Sequence, residues 1–340
     1  MEYIKQAPDN IDLTTLEHPK GWYPLNLHQH QGQLCISWGF LPEAPYRRAF
    51  FFDTIQSIPK TELKYCKLES LQQFQTLDCL APSAFIFHTS RCGSTLLTQQ
   101  LTELAECLAP SEPPIFDDAL NYCRSLSDEE QKLQLLRSVI RALGQRQTGK
   151  ESHLFIKLDC WHIADLPLIR KAFPATPFIL LYRTPKAVFD SHKKQRGLQM
   201  VPGLINSQPL DMDSESVPVW DLDRYCLKVM RAIYRLFISY APLENQLLLN
   251  YQQLPEFTWR ELAAQFNLPL TEQKRQQMAA RSTHHSKQRH NAFKTPQPAP
   301  ENPLSPALRQ LEIDYQQLEH LRIRTDKERA RYPANPDLIP

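Results

Sequence analysis

Glycine is scarce in this chain, with 8 among 340 residues, while proline is abundant at 28. No Gly-x-Gly-x-x-Gly occurs, which excludes the dinucleotide fingerprint. No Gly-x-x-x-x-Gly-Lys-Ser/Thr occurs either, so the loop of nucleotide-hydrolysing P-loop enzymes is absent. Excess charge of one sign is also missing: 39 Lys and Arg stand against 37 Asp and Glu, a net charge of +2. No bulk field argues for nucleic acid or a membrane surface as partner, so any anion site must be local. No apolar run approaches the roughly eighteen residues of a membrane span, and residues 1–30 lack an apolar stretch of signal-peptide length. The eight cysteines (Cys35, Cys66, Cys79, Cys92, Cys107, Cys123, Cys160, Cys226) contain no Cys-x-x-Cys pair. That usage points to a reduced, cytoplasmic protein. His28 and His30, and the group His284, His285 and His290, fit no zinc spacing, so no metal is expected.

What is present is length and periodicity. The chain is long enough for one large α/β domain with an appendage. Within residues 1–80, QLCISWGFL (33–41) and YRRAFFFDTI (46–55) are rich in β-branched and aromatic residues, with turn formers in GWYP and PEAP. They predict a small antiparallel β-rich appendage, with a short helix over 69–77. From residue 81 to 293, strands and helices alternate. AFIFH (84–88), HLFIKL (153–158), PFILLYR (177–183) and NQLLLNY (245–251) read as buried strands. Helical spacing covers 94–108, 128–145, 163–174, 184–195, 223–241 and 257–268. Residues 197–220 have no period and many turn formers, and a connection of that length in a compact domain is usually functional or disordered. Residues 294–340 read as a proline-rich linker followed by a helix over 308–323 that packs on the body. The alternation predicts an α/β fold, a parallel sheet with helices on both faces. Ligands of such sheets sit beyond the carboxyl ends of the strands. That rule gathers 88–95, 157–162, 183–191 and 251 at one site.

The first of these segments is HTSRCGSTLL (88–97). A strand, a turn of small residues and a helix start present backbone N–H groups and a helix dipole to an anion. Arg91 adds a fixed positive fork, Gly93 the turn, and Ser94 and Thr95 their hydroxyls. Read blandly, Ser94 is only an N-cap and Arg91 a surface charge. In the second segment, RTPKAVFDS (183–191), a cation ends a strand and Ser191 follows about two helical turns later. The pair can share one phosphate, or Arg183 can simply pair with Asp190.

Together the two segments resemble the sulfotransferase superfamily, whose donor is 3′-phosphoadenosine 5′-phosphosulfate (PAPS). In that family a Lys/Arg-Ser-Gly-Ser/Thr-Ser/Thr loop between strand and helix holds the 5′-phosphosulfate. A later strand ending in Arg, with Ser eight residues on, holds the 3′-phosphate. Here these read RCGST at 91–95 and RTPKAVFDS at 183–191. LLLNYQQLPEFTWRELAAQFNLP (247–269) is similar to the family's strand ending in Tyr-Glu-x-Leu, with Tyr251 at the tyrosine. The resemblance spans about 82–290. It implies PAPS as co-substrate, no obligatory metal, and a hydroxyl or amine acceptor that the sequence does not name. It implies donor contacts from Arg91, Cys92, Gly93, Ser94, Thr95, Arg183, Ser191 and Tyr251. Cys92 stands where the family has Ser, and Gln252 where it has Glu. The family's late glycine-rich loop is absent; HHSKQRH (284–290) is the candidate replacement, with Ser286 and Lys287 as phosphate contacts.

Sulfuryl transfer, like phosphoryl transfer, is an in-line displacement governed by positioning and charge. Arg91 and Lys157 are the candidate cations at the leaving group. The acceptor must also lose a proton to a base. Glu112 follows the first helix, where tyrosylprotein sulfotransferases and bacterial relatives carry their catalytic glutamate. His162 is the second candidate and Asp159 the third; His88 reads as a packing residue. The alternative bland roles are a turn cap for Glu112 and an ordinary strand-end lysine for Lys157. Two other functions stay open, a kinase-like phosphate-loop enzyme and a non-catalytic nucleotide-binding relative.

Overall fold

The computed structural model describes residues 4–43, 45–212, 217–282, 284–285, 288–292 and 305–331. The chain starts in a four-stranded sheet ordered β1 (Lys5–Gln6), β2 (Trp22–His30), β3 (Gln33–Phe40) and β4 (Lys64–Lys67). β3 pairs with β2 and β4, and not with the segment 46–55 expected from its composition. The reason for the miss is Pro24, which reads as a turn former. It lies beside an irregularity in the β2–β3 register, between Pro24 and Asn26, where a missing N–H is tolerated. Phe51–Ile55 forms a short helix, α1, whose Asp53 accepts a hydrogen bond from the Phe50 N–H at 3.3 Å.

The second sheet has five parallel strands ordered β6-β7-β5-β8-β9. These are β5 (Ala84–His88), β6 (Cys107–Leu108), β7 (His153–Lys157), β8 (Phe178–Tyr182) and β9 (Gln246–Asn250). Strands β5, β8 and β9 are buried throughout, as strands covered on both faces must be. Eight of the helices in this part of the chain are α2 (Ser94–Leu101), α3 (Pro114–Cys123), α4 (Glu129–Leu143), α5 (Leu166–Ala172), α6 (Pro185–Lys194), α7 (Leu222–Tyr240), α8 (Ala263–Gln265) and α9 (Glu272–Ser282). The helix expected over 94–108 stops at Leu101, because Cys107 and Leu108 pair with His153 and Leu154 as the sheet edge. Helix α3 was not expected; Pro114 opens it, a position that needs no backbone N–H. The stretch after α6 holds two 3₁₀ turns, Leu198–Met200 and Gln208–Leu210.

The two sheets share one core. Trp38 stacks on Phe74, ring centroids 5.0 Å apart, and the core continues through Leu120 and Leu136 to Phe85 and Phe178. Polar contacts join them as well: Asp118 of α3 accepts from the Leu27 N–H at 2.9 Å and the Asn26 amide at 3.0 Å. The last described helix, α10 (Pro306–Arg331), buries Leu308, Leu311, Tyr315 and Leu318. Its Glu312 accepts from the Lys186 N–H at 3.1 Å, its Tyr315 hydroxyl meets Asn250 at 2.9 Å, and its Glu319 accepts from the Tyr182 hydroxyl. Among the described residues, no helix is long and apolar enough to cross a membrane.

Candidate active site

The carboxyl ends of β5, β7, β8 and β9 open into one cavity of about 840 Å³. The loop after β5 forms its floor. Ser90 and Arg91 have φ of 64° and 48°, and Gly93 caps α2 with φ 88°. A turn of this kind aims successive N–H groups at one point. Gly93 brings no side chain to the first N–H groups of α2. Its glycine identity is dictated by space: a Cβ there would lie 2.8 Å from Tyr251 Cδ2 and 3.0 Å from Leu254 Cδ1. Gly93→Ala combines that clash with a left-handed backbone and is expected to cost about 1–3 kcal/mol. A lower denaturant midpoint at unchanged slope is the readout; an unchanged midpoint would show that Tyr251 yields.

Cys92 does not take the place of a hydroxyl facing the cavity. Its Sγ is fully buried and donates to the Leu181 carbonyl at 3.4 Å, and burial pushes the thiol's pKa up. Only the backbone of this residue is left to face an anion. Arg91 reaches across the cavity mouth, donating from Nη2 to the Gln195 carbonyl at 2.7 Å. Gln199, in the segment after α6, donates to Ser90 Oγ at 2.9 Å. Gln195, Gln199 and Phe50 all line the cavity, yet sequence reading named none of them. Gln195 ends an expected helix, Gln199 lies in an aperiodic stretch and Phe50 in a segment read as β, and none of the three carried a motif.

Lys157 ends β7 inside the cavity, with 1% of its side chain exposed. Its Nζ lies 2.6 Å from Glu112 Oε1, 3.3 Å from Ser111 Oγ, 3.4 Å from Thr95 Oγ1 and 4.8 Å from the Phe50 ring centre. Glu112 adopts φ 51°, a conformation with steric cost, and donates its N–H to the Lys157 carbonyl at 2.8 Å. Burial pushes the Glu112 carboxyl up, but the Lys157 ammonium and His88 outweigh it and hold it far below the usual range. His88 Nδ1 accepts from the Ser90 N–H at 3.1 Å, which leaves Nε2 to carry the proton, 3.3 Å from Glu112 Oε1. Burial, aided by Lys157, lowers the His88 pKa and keeps the ring neutral.

The other half of the cavity belongs to β8 and α6. Arg183 and Ser191 both line it. Asp190 is taken by Lys186 at 2.7 Å, so Arg183 has no carboxylate partner among the described residues. Its guanidinium lies 4.1 Å from the Tyr251 ring centre and donates to the Arg91 carbonyl at 3.2 Å. Tyr251 therefore touches both halves.

His162 is not among the residues lining the cavity. Its Nε2 lies 2.7 Å from Asp117 Oδ1, which also accepts from Trp161 Nε1 at 2.8 Å. Asp117, Asp159 and His162 hold ligand-type atoms within 4.8 Å of one another. Because His162 donates to Asp117, the nitrogen making that contact has no lone pair for a cation. Ser286 and Lys287 lie outside the described residues.

No family model and no curated protein matches the chain. Among solved structures it is similar to the sulfotransferase domain from the curacin biosynthetic pathway, at 18% identity and a TM-score of 0.44, covering 70% of this chain and 99% of that one. The sulfotransferase domain of the Synechococcus PCC 7002 olefin synthase gives 16% and 0.42, over 71% and 96%. A sulfotransferase from Mycobacterium avium gives 12% and 0.42, over 78% and 80%.

Proposed function

We propose that this protein is a PAPS-dependent sulfotransferase that moves a sulfuryl group to a hydroxyl or amine acceptor. One observation carries the reading: a single cavity is lined by two separate sets of cationic and hydroxyl side chains. One set is Arg91, Ser94, Thr95 and Lys157 with the α2 N-terminus; the other is Arg183 and Ser191, Arg183 having no carboxylate partner among the described residues. Two such sets suit a nucleotide with phosphates at both its 5′ and 3′ ends. The first would hold the phosphosulfate and the second the 3′-phosphate, recognised by the arginine fork.

In-line attack on sulfur builds charge on the leaving 5′-phosphate oxygen, and Arg91 and Lys157 are the cations placed to stabilise it. The acceptor's proton passes to a carboxylate of the wall, Glu112 being the candidate named from sequence. Residues 1–80 supply Phe50 and the stretch after α6 supplies Leu198 and Gln199 to the cavity, so the acceptor enters between them. Residues 81–293 form the transferase domain in this reading, and 294–340 its support. All eight cysteines are free, which supports a reducing, cytoplasmic compartment.

Calorimetric titration with the product nucleotide, 3′-phosphoadenosine 5′-phosphate (PAP), tests the reading. Micromolar or tighter binding without magnesium is expected, roughly −8 kcal/mol. A preference for magnesium-ATP would replace this reading with a kinase-like one.

A further inference from the structure

Of the acid–base side chains named around the loop, Asp159 is the one that lines the cavity without an ion-pair partner among the described residues. It is 9% exposed and precedes the 3₁₀ turn Cys160–Asp165, where its carbonyl accepts from the His162 N–H at 3.0 Å. Its two competitors are engaged: Glu112 by Lys157 at 2.6 Å, His162 by Asp117 at 2.7 Å.

The titratable groups around Asp159 come from several elements. Glu112 precedes α3, Asp117 lies on α3, Lys157 ends β7, and Cys160 and His162 follow in the turn. Burial, then the Glu112 charge and that of Asp117, lift the Asp159 carboxyl well above its ordinary range; His162 and Lys157 pull the other way without restoring it. Glu112 is driven in the opposite direction. Two neighbouring carboxyls whose surroundings push them apart divide the acid–base work. A carboxyl held far below its ordinary range is a weak proton acceptor, and one raised above that range is a stronger one.

Resting on the sulfuryl-transfer reading, we infer that Asp159 takes the acceptor's proton, while Glu112 holds and orients Lys157. In this step the acceptor oxygen's lone pair forms the new bond to sulfur. The bond from sulfur to the 5′-phosphate oxygen breaks, and its electron pair leaves with PAP. The hydroxyl proton moves to an Asp159 carboxylate oxygen and is later lost to water in the cavity.

The test uses the full chain, PAPS as donor and water as the stand-in acceptor, with PAP release followed across pH. Asp159→Asn is expected to bind PAP like the parent, to release it about a hundredfold or more slowly, and to lose the acidic limb of the pH profile. Glu112→Gln is expected to be slow as well but to keep that limb. Asp159→Asn turning over at the parental rate, or the limb vanishing in Glu112→Gln alone, overturns the assignment. Failure of the parent to bind PAP sinks the donor reading instead. A readout independent of turnover is the infrared carboxylic-acid band of the PAP-bound protein. A band that titrates above the ordinary carboxylate range, and is shifted in Asp159→Glu, supports the proposal; its absence from the parent overturns it, even where Asp159→Asn does not fold.

Discussion

Lys157→Met is expected to lose both stability and transfer. It removes the ammonium 2.6 Å from Glu112 and leaves that carboxylate inside the protein without its cation. Breaking a buried pair from one side costs about 3–5 kcal/mol. Since 22% of the Glu112 side chain remains exposed, the lower figure applies, about 3 kcal/mol or roughly 4 °C in melting temperature for a chain of this size. The loss should depend on pH. Glu112 is held below its unfolded value, so the stabilisation is complete above the ordinary carboxylate range, declines as pH falls below it, and is lost as pH passes through the depressed folded value. Parent and variant should therefore converge in acid. The double change Lys157→Met with Glu112→Gln should recover most of the loss, because no charge is then stranded. Turnover should fall about a hundredfold or more, the scale of one lost charge-stabilising donor. Denaturant melts at neutral and acid pH decide the matter. A variant as stable as the parent at neutral pH would mean that the pair contributes nothing.

Arg183→Ala should cut PAP affinity about a hundredfold, on the order of 3 kcal/mol for two charge-assisted hydrogen bonds to phosphate. Arg183→Lys should fall between, since it keeps the charge but loses the fork and the stack on Tyr251. The control ligand is adenosine 5′-phosphate, which lacks the 3′-phosphate. Its affinity should change far less, apart from any effect of freeing the Arg91 carbonyl. Equal losses for both ligands in calorimetry would remove the clamp from the proposed function.

The strands of the central sheet were legible because they are buried on both faces and read as short apolar runs between helical periods. β6 was the exception: two residues carry no period, and Cys107 and Leu108 equally suit a helix face. β2 was hidden by Pro24, and α3 by the proline pair that opens it. The lining of the cavity was legible where position in the chain places a residue at a strand end. Arg91, Lys157, Arg183 and Tyr251 each lie at or just after a strand end, and a parallel sheet brings such ends together. Partnerships were less legible, because they depend on side-chain direction. Asp190 turns to Lys186, His162 to Asp117, and Cys92 into the core. The hold on the loop comes from Gln195, the last residue of an expected helix, and from Gln199 in a stretch with no period, and neither carries a motif to mark it.

The three polar feet of α10 all stand close to cavity-lining residues: Tyr182 precedes Arg183, Asn250 precedes Tyr251, and Lys186 lies on the helix that carries Ser191. Every strand of the central sheet is synthesised before this support exists. On the ribosome, the half of the cavity that contains Arg183 is thus braced last. In chain order the sheet strands and the loop at Gly93 all precede residues 312–319, so the wall that contains Arg183 is completed only after the rest of the cavity has been made.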